Sequence, residues 1–120
     1  MAYTKYGEFM RILRVKSHEV MGDTAKLLKV KLPLVSAVEN GKKNVPEEWL
    51  QIIINHYHLN KQMQKELFEA VEASKTQVKI NLSSASTLQR KIAIQFQRSF
   101  ENLDDATAEA ILKLLNEENN

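Results

Sequence analysis

Side chains that commonly carry chemistry are few in this 120-residue chain, and they are poorly spaced for catalysis. There is no cysteine, which removes thiol nucleophiles, disulfides and Cys-based zinc sites. His56 and His58 stand two residues apart; on a helix that spacing turns them about 200° from each other, so they cannot share a metal ion. Ser17, His18 and Glu19 have the residue types of a hydrolytic triad, but sequence neighbours do not converge on one reacting atom. Glu66, Glu69 and Glu72 recur every three residues and read as the wet face of a helix, not as an acid–base pair. Three isolated glycines build no phosphate-cradling loop. The sequence therefore predicts no catalytic residue, no metal ligand, no cofactor and no enzyme.

The chemistry that remains is charge. Lys29, Lys31, Lys42 and Lys43 bracket a short apolar segment, and ammonium groups at that density suit a phosphate polyanion. The formal net charge of +2 hides an uneven distribution. Residues 1–60 carry nine Lys/Arg against six Asp/Glu, and residues 61–98 carry seven against three. From Ser99 to Asn120 the balance reverses to one lysine against six acids. A basic body with an acidic tail fits a protein that meets a polyanion on one face and turns its C-terminus away. Hydrophobic residues make up 43% and charged residues 27%, as in a globular domain, and no apolar run approaches a membrane span of about 20 residues. The start MAYTKYGEF lacks the apolar stretch of a signal peptide, so a cytoplasmic location and no membrane contact are expected.

The elements that must hold these lysines can be read from apolar spacing and punctuation. All five Gly and Pro residues fall within the first 46 positions. Tyr6, Phe9, Leu13 and Val15 predict a first helix ending near Lys16, and Ala25 and Leu28 a second over 21–28. A third runs from Leu32 to Asn40, with Pro33 tolerated in its first turn and Gly41 closing it. Pro46, Glu47 and Glu48 open a fourth, whose apolar face is Trp49, Leu50, Ile53, Ile54 and Tyr57. Asn60 caps a fifth through Ser74, carrying Met63, Leu67 and Val71.

Beyond it the period changes from helical to alternating. Val78, Ile80 and Leu82 face one way, and Gln77, Lys79 and Asn81 the other, which predicts a short β-strand. A lone strand leaves its backbone unpaired, so residues 76–83 are expected to pair with a second chain across a two-fold axis, Val78, Ile80 and Leu82 making the dimer contact. After a hinge at Ser83–Thr87, Leu88, Ile92, Phe96 and Phe100 predict a sixth helix, and Asp104 caps a seventh with Ala108, Ile111, Leu112 and Leu115. The resulting organisation is a helical domain over 1–74, a strand and hinge over 75–87, and a helical hairpin over 88–120 for dimerisation or partner binding.

The second and third helices, joined by a tight turn, have the small and apolar anchors a helix-turn-helix needs in Ala25, Val30, Val35 and Val38. The segments FMRILRVK and DTAKLLKVKLPLVSAVENGKKNVP resemble the Cro and phage-repressor family of helix-turn-helix regulators, also called the xenobiotic-response-element family. The resemblance covers residues 6 to about 60; its most specific part is Val35 through Lys42 followed by Pro46. It implies an all-α fold with a five-helix, lambda-repressor-like domain. It also implies a buried ion pair between Arg14 and Glu39, and a third helix that enters the major groove of double-stranded DNA. Leu32, Pro33, Ser36 and Ala37 then fall at base-facing positions, and Lys29, Lys31, Asn40, Lys42 and Lys43 near the phosphates.

Two features depart from the family pattern. Leu32, Pro33 and Leu34 replace polar readers of base edges and offer only apolar contact to thymine methyl groups. Val20, Met21 and Gly22 stand where a Ser/Thr/Asn cap followed by Gln is usual, which removes one phosphate contact. The reading that follows is a homodimeric repressor of phage or mobile-element type. The alternatives are an antitoxin or immunity-type regulator whose residues 76–120 bind a protein partner, and a helix-turn-helix fold turned to protein binding through Leu32, Pro33 and Leu34.

Overall fold

A computed structural model of the chain describes residues 3–118. Among these residues the regular structure is entirely helical: α1 (Lys5–Lys16), α2 (Met21–Leu28), α3 (Leu32–Glu39), α4 (Glu47–Tyr57), α5 (Lys61–Ala73), α6 (Thr87–Ser99) and α7 (Asp105–Glu118), with a 3-10 turn at Phe100–Asn102. The chain divides into two units after Val78.

The N-terminal unit owes its form to caps and to one apolar core. Thr4 and Asn60 accept hydrogen bonds from Gly7 N–H and Met63 N–H, which satisfies free donors at the starts of α1 and α5. Lys29 and His58 adopt left-handed conformations that end α2 and α4. The second helix lacks a side-chain cap, as a valine at position 20 requires. Asp23 compensates in part, its carboxylate accepting from Val20 N–H at 2.8 Å. Tyr6, Met10, Leu13, Leu28, Val38, Trp49, Ile53, Ile54, Leu59, Leu67 and Val71 form the core. The first helix buries Tyr6, Met10 and Leu13, while Val15, expected on the same stripe, is exposed. Ser74 fastens the end of the fifth helix to the start of the first: its hydroxyl accepts from Tyr6 N–H at 3.0 Å and donates to the Ala70 carbonyl at 2.6 Å.

Two glycines permit α1 to meet the end of α3. A Cβ on Gly7 would overlap the Glu39 carbonyl oxygen, and a Cβ on Gly41, where φ is +83°, would press on the Thr4 methyl at 2.8 Å. Thr4 bridges the same place, its hydroxyl donating to the Glu39 carbonyl at 2.9 Å.

The strand expected at Val78, Ile80 and Leu82 is absent among the described residues. Asn44 supplies the side-chain partners for the start of this segment. Its carboxamide accepts from Thr76 N–H at 2.9 Å and donates to the Gln77 carbonyl at 2.8 Å. Val78 and Ile80 are 80% and 65% exposed, with no neighbouring strand to complete a ladder. Alternation makes a segment fit for a sheet, but it does not supply one. Helices α6 and α7 also form, and neither buries a residue that the structure describes.

Replacing Gly7 by Ala should destabilise the chain by about 1–3 kcal/mol, despite alanine's better helix propensity, because the added methyl must push α1 off α3. Urea denaturation would reveal it; an unchanged midpoint would mean that α1 can shift freely.

Candidate nucleic-acid interface

Every feature of α3 follows from having one face in the core and the other in water. Val35, Val38 and Glu39 are buried, whereas Leu32 and Pro33 are exposed and Ser36, Ala37 and Asn40 are half-exposed. Positions 32, 33, 36, 37 and 40 share one side of a 3.6-residue helix, so the sequence-predicted contact residues of α3 form one stripe. Within it, the Asn40 amide reaches the Ser36 hydroxyl at 3.3 Å.

The turn that presents α3 is short. Lys29 is left-handed at φ 57°, Val30 N–H returns to the Ala25 carbonyl at 3.0 Å, and Lys31 is the extended residue before α3. Ala25 is buried, and its small side chain suits the close α2–α3 packing. At the far end, Lys42 N–H closes on the Ala37 carbonyl at 2.9 Å beside the left-handed Gly41. Lys29 and Lys31 thus stand at one end of an eight-residue helix about 12 Å long, and Lys42 and Lys43 follow its other end. All four are exposed. Among the described residues the ion pairs are Arg14 with Glu39, His56 with Glu19 and Lys75 with Glu72, and the four lysines take part in none of them.

The helix is fixed from beneath by Arg14. Its Nη1 and Nη2 donate to Glu39 Oε2 and Oε1, both at 2.7 Å, with the two residues only 5% and 0% exposed. This is the fork-to-fork geometry that makes arginine–carboxylate pairs strong and directional. A third residue completes the site: Arg14 Nη1 also donates to the buried Thr24 hydroxyl at 3.2 Å, tying α2 to the same guanidinium. Sequence reading missed Thr24, because a threonine inside a helix carries no signal of a buried charged partner ten residues away.

A second polar cluster holds the loop before α2. Glu19 accepts from the Tyr57 hydroxyl and meets His56 Nε2 at 3.0 Å, joining this loop to the end of α4. The Tyr57 hydroxyl bond, and then that of His56, lowers the Glu19 carboxyl below its ordinary range despite partial burial. Burial first, and then the Glu19 bond, pushes the Tyr57 phenol up and keeps it a donor. His58 lies just past the end of α4, and His18 is an exposed left-handed loop residue, so neither joins the cluster. Because its partners lie 37 and 38 residues away, no local spacing announced this arrangement.

No protein-family profile, curated protein or solved structure matches the chain. No helix among the described residues is long and apolar enough to cross a membrane.

Two substitutions test this geometry. Arg14→Ala should cost about 3–5 kcal/mol by stranding a buried carboxylate. Arg14→Met combined with Glu39→Leu should cost clearly less than the sum of the single changes, and additive losses in urea denaturation would show that the pair is not coupled. The contribution of Glu19 should be complete above its ordinary pKa of 4.5 and fade as the pH falls through the lower folded-state value. The stability gap between the natural chain and Glu19→Gln should therefore shrink as the pH falls below about 4.5; a gap that keeps its full size well below that pH refutes the assignment.

Proposed function

We propose that this chain is a cytoplasmic DNA-binding transcription regulator of the Cro and phage-repressor type, acting as a homodimeric repressor. The observation that carries the reading is the α3 helix, held by a buried bidentate ion pair and left bare on its outer stripe between two pairs of uncommitted lysines. A polyanion whose groove admits one helix and whose walls are phosphates fits that arrangement. Leu32, Pro33, Ser36 and Ala37 lie against base edges, Lys29 and Lys31 reach one phosphate strand, and Asn40, Lys42 and Lys43 reach the other.

Affinity and reading are unequally served. Four lysines supply salt-sensitive phosphate contact, whereas the α3 stripe offers few of the paired donors and acceptors that each add about 1–3 kcal/mol of base discrimination. Ser36 and Asn40 are the polar members of that stripe. The chain therefore binds duplex DNA with moderate sequence preference, weighted towards thymine methyl groups next to Leu32 and Pro33.

A second reading rests on Leu32, which is 46% exposed beside the exposed Pro33. An apolar patch at the tip of a helix also suits a protein partner, as in a helix-turn-helix fold turned to protein binding. An antitoxin or immunity-type regulator would keep the DNA face and add a partner through residues 76–120.

Binding to genomic duplex fragments, followed across salt concentration, separates these readings. The natural chain should bind with a steep negative dependence on salt. Changing Lys42 and Lys43 together to Ala should weaken all duplexes alike and flatten the log–log slope by about 2. Absence of duplex binding even at low salt would abandon the regulator in favour of the Leu32 patch.

A further inference from the structure

Three cations of the C-terminal unit share one side of α6. Leu88, Ile92, Phe96 and Phe100 make an apolar stripe along this helix and the 3-10 turn after it, each 41 to 68% exposed. At about 100° per residue, Arg90, Ile94 and Arg98 fall on the opposite side, with Lys91 on its flank. No acid interrupts the 13 residues of α6. Arg90, Lys91 and Arg98 are exposed and belong to none of the ion pairs among the described residues. Arg90 donates to the Leu82 carbonyl at 2.7 Å, a bond that leaves its charge without a carboxylate. Lys79, in the segment ahead of the helix, is exposed as well. An ordinary solvated helix face mixes both signs, whereas a face of one sign draws a polyanion.

We propose that this cationic side of α6 is a second phosphate-binding surface for duplex DNA, a role that rests on α3 being the element that brings a duplex to the chain. Arg90 and Arg98 lie about 12 Å apart along the helix, and duplex DNA carries one charge per about 1.7 Å of its axis, so phosphates are at hand wherever α6 meets it. No base needs to be read. The non-helical residues 79–86 can span at most roughly 28 Å, and that tether keeps α6 at high effective concentration near any duplex held by α3. A lipid surface would engage the apolar stripe, on whose far side Arg90 and Arg98 stand. Glu101, Asp104 and Asp105 mark the end of the surface, since the phosphates that attract α6 repel the start of α7.

Duplex binding by the full chain, measured across salt concentration, tests the surface. Arg90→Gln with Lys91→Gln and Arg98→Gln should flatten the log–log salt slope by about 2 to 3 and weaken binding roughly tenfold or more at low salt, with the helical circular dichroism retained. Lys91→Ala with Arg98→Ala, which keeps the Arg90 bond to Leu82, should still flatten the slope by about 2. Lys5→Gln with Lys61→Gln and Lys65→Gln removes the same net charge as the first variant, but from α1 and α5, and should leave the slope within about 1 of the natural value. A natural chain that binds duplex with a slope unmoved by the α6 changes overturns this surface and leaves the α3 reading intact. Equal losses from the two triple variants overturn it too, because net charge alone would then explain them. Failure of the natural chain to bind any duplex removes the α3 reading, and the α6 surface with it. Phosphatidylglycerol vesicles that bind the natural chain and not the α6 variant, with duplex binding the same for both, would give the face to a membrane and overturn the proposal.

Discussion

The placement of α3 depends on the Arg14–Glu39 pair. Taking both charges out of water is costly, and the expense is offset only because two parallel hydrogen bonds at 2.7 Å use the guanidinium fork and the carboxylate fully. The surroundings conform to that requirement. Thr24 takes a further donor of the guanidinium, Thr4 binds the Glu39 carbonyl, and Gly7 and Gly41 clear space so that the first helix can reach the end of the third. Such a pair adds less to net stability than to specificity. It allows one register between α1, α2 and α3, and so fixes which face of α3 meets water.

From that register follows the electrostatic character of the surface. With Glu39 consumed inside, α3 shows no acid outward, and the lysines at its two ends face solvent without carboxylate partners among the described ion pairs. A helix presented in this way is a neutral, partly apolar stripe between positive ends. The same carboxylate thus serves twice, once as a structural anchor and once by being hidden from the field outside.

The two units solve the problem of burial differently. The N-terminal unit closes its core within one chain, from Tyr6 to Val71, and ties its last helix back to its first through Ser74. The C-terminal unit has sound local signals, with Ser86 and Gln89 in a reciprocal cap and Asp104 capping α7, yet Leu88, Ile92, Phe100, Leu112 and Leu115 stay more than half exposed. Local propensity and tertiary satisfaction are thus separable: caps and apolar period shape a helix before anything is decided about what it packs against.

The sequence by itself determined where the helices of this protein lie, since apolar periods, Pro33, Pro46, Asn60 and Asp104 are short-range signals acting within one or two turns. The Arg14–Glu39 pairing was legible only through a family resemblance, because nothing in the spacing of an arginine and a glutamate 25 residues apart states that they meet. Tertiary structure alone decided the role of Thr24, the Glu19–His56–Tyr57 cluster and the clearance at Gly7, all of which are contacts between distant segments. It also decided against the strand at Val78, Ile80 and Leu82. Alternation describes which sides of a segment are apolar, whereas a strand exists only where another backbone lies alongside to take its hydrogen bonds, and in this chain Asn44 meets only its first two residues.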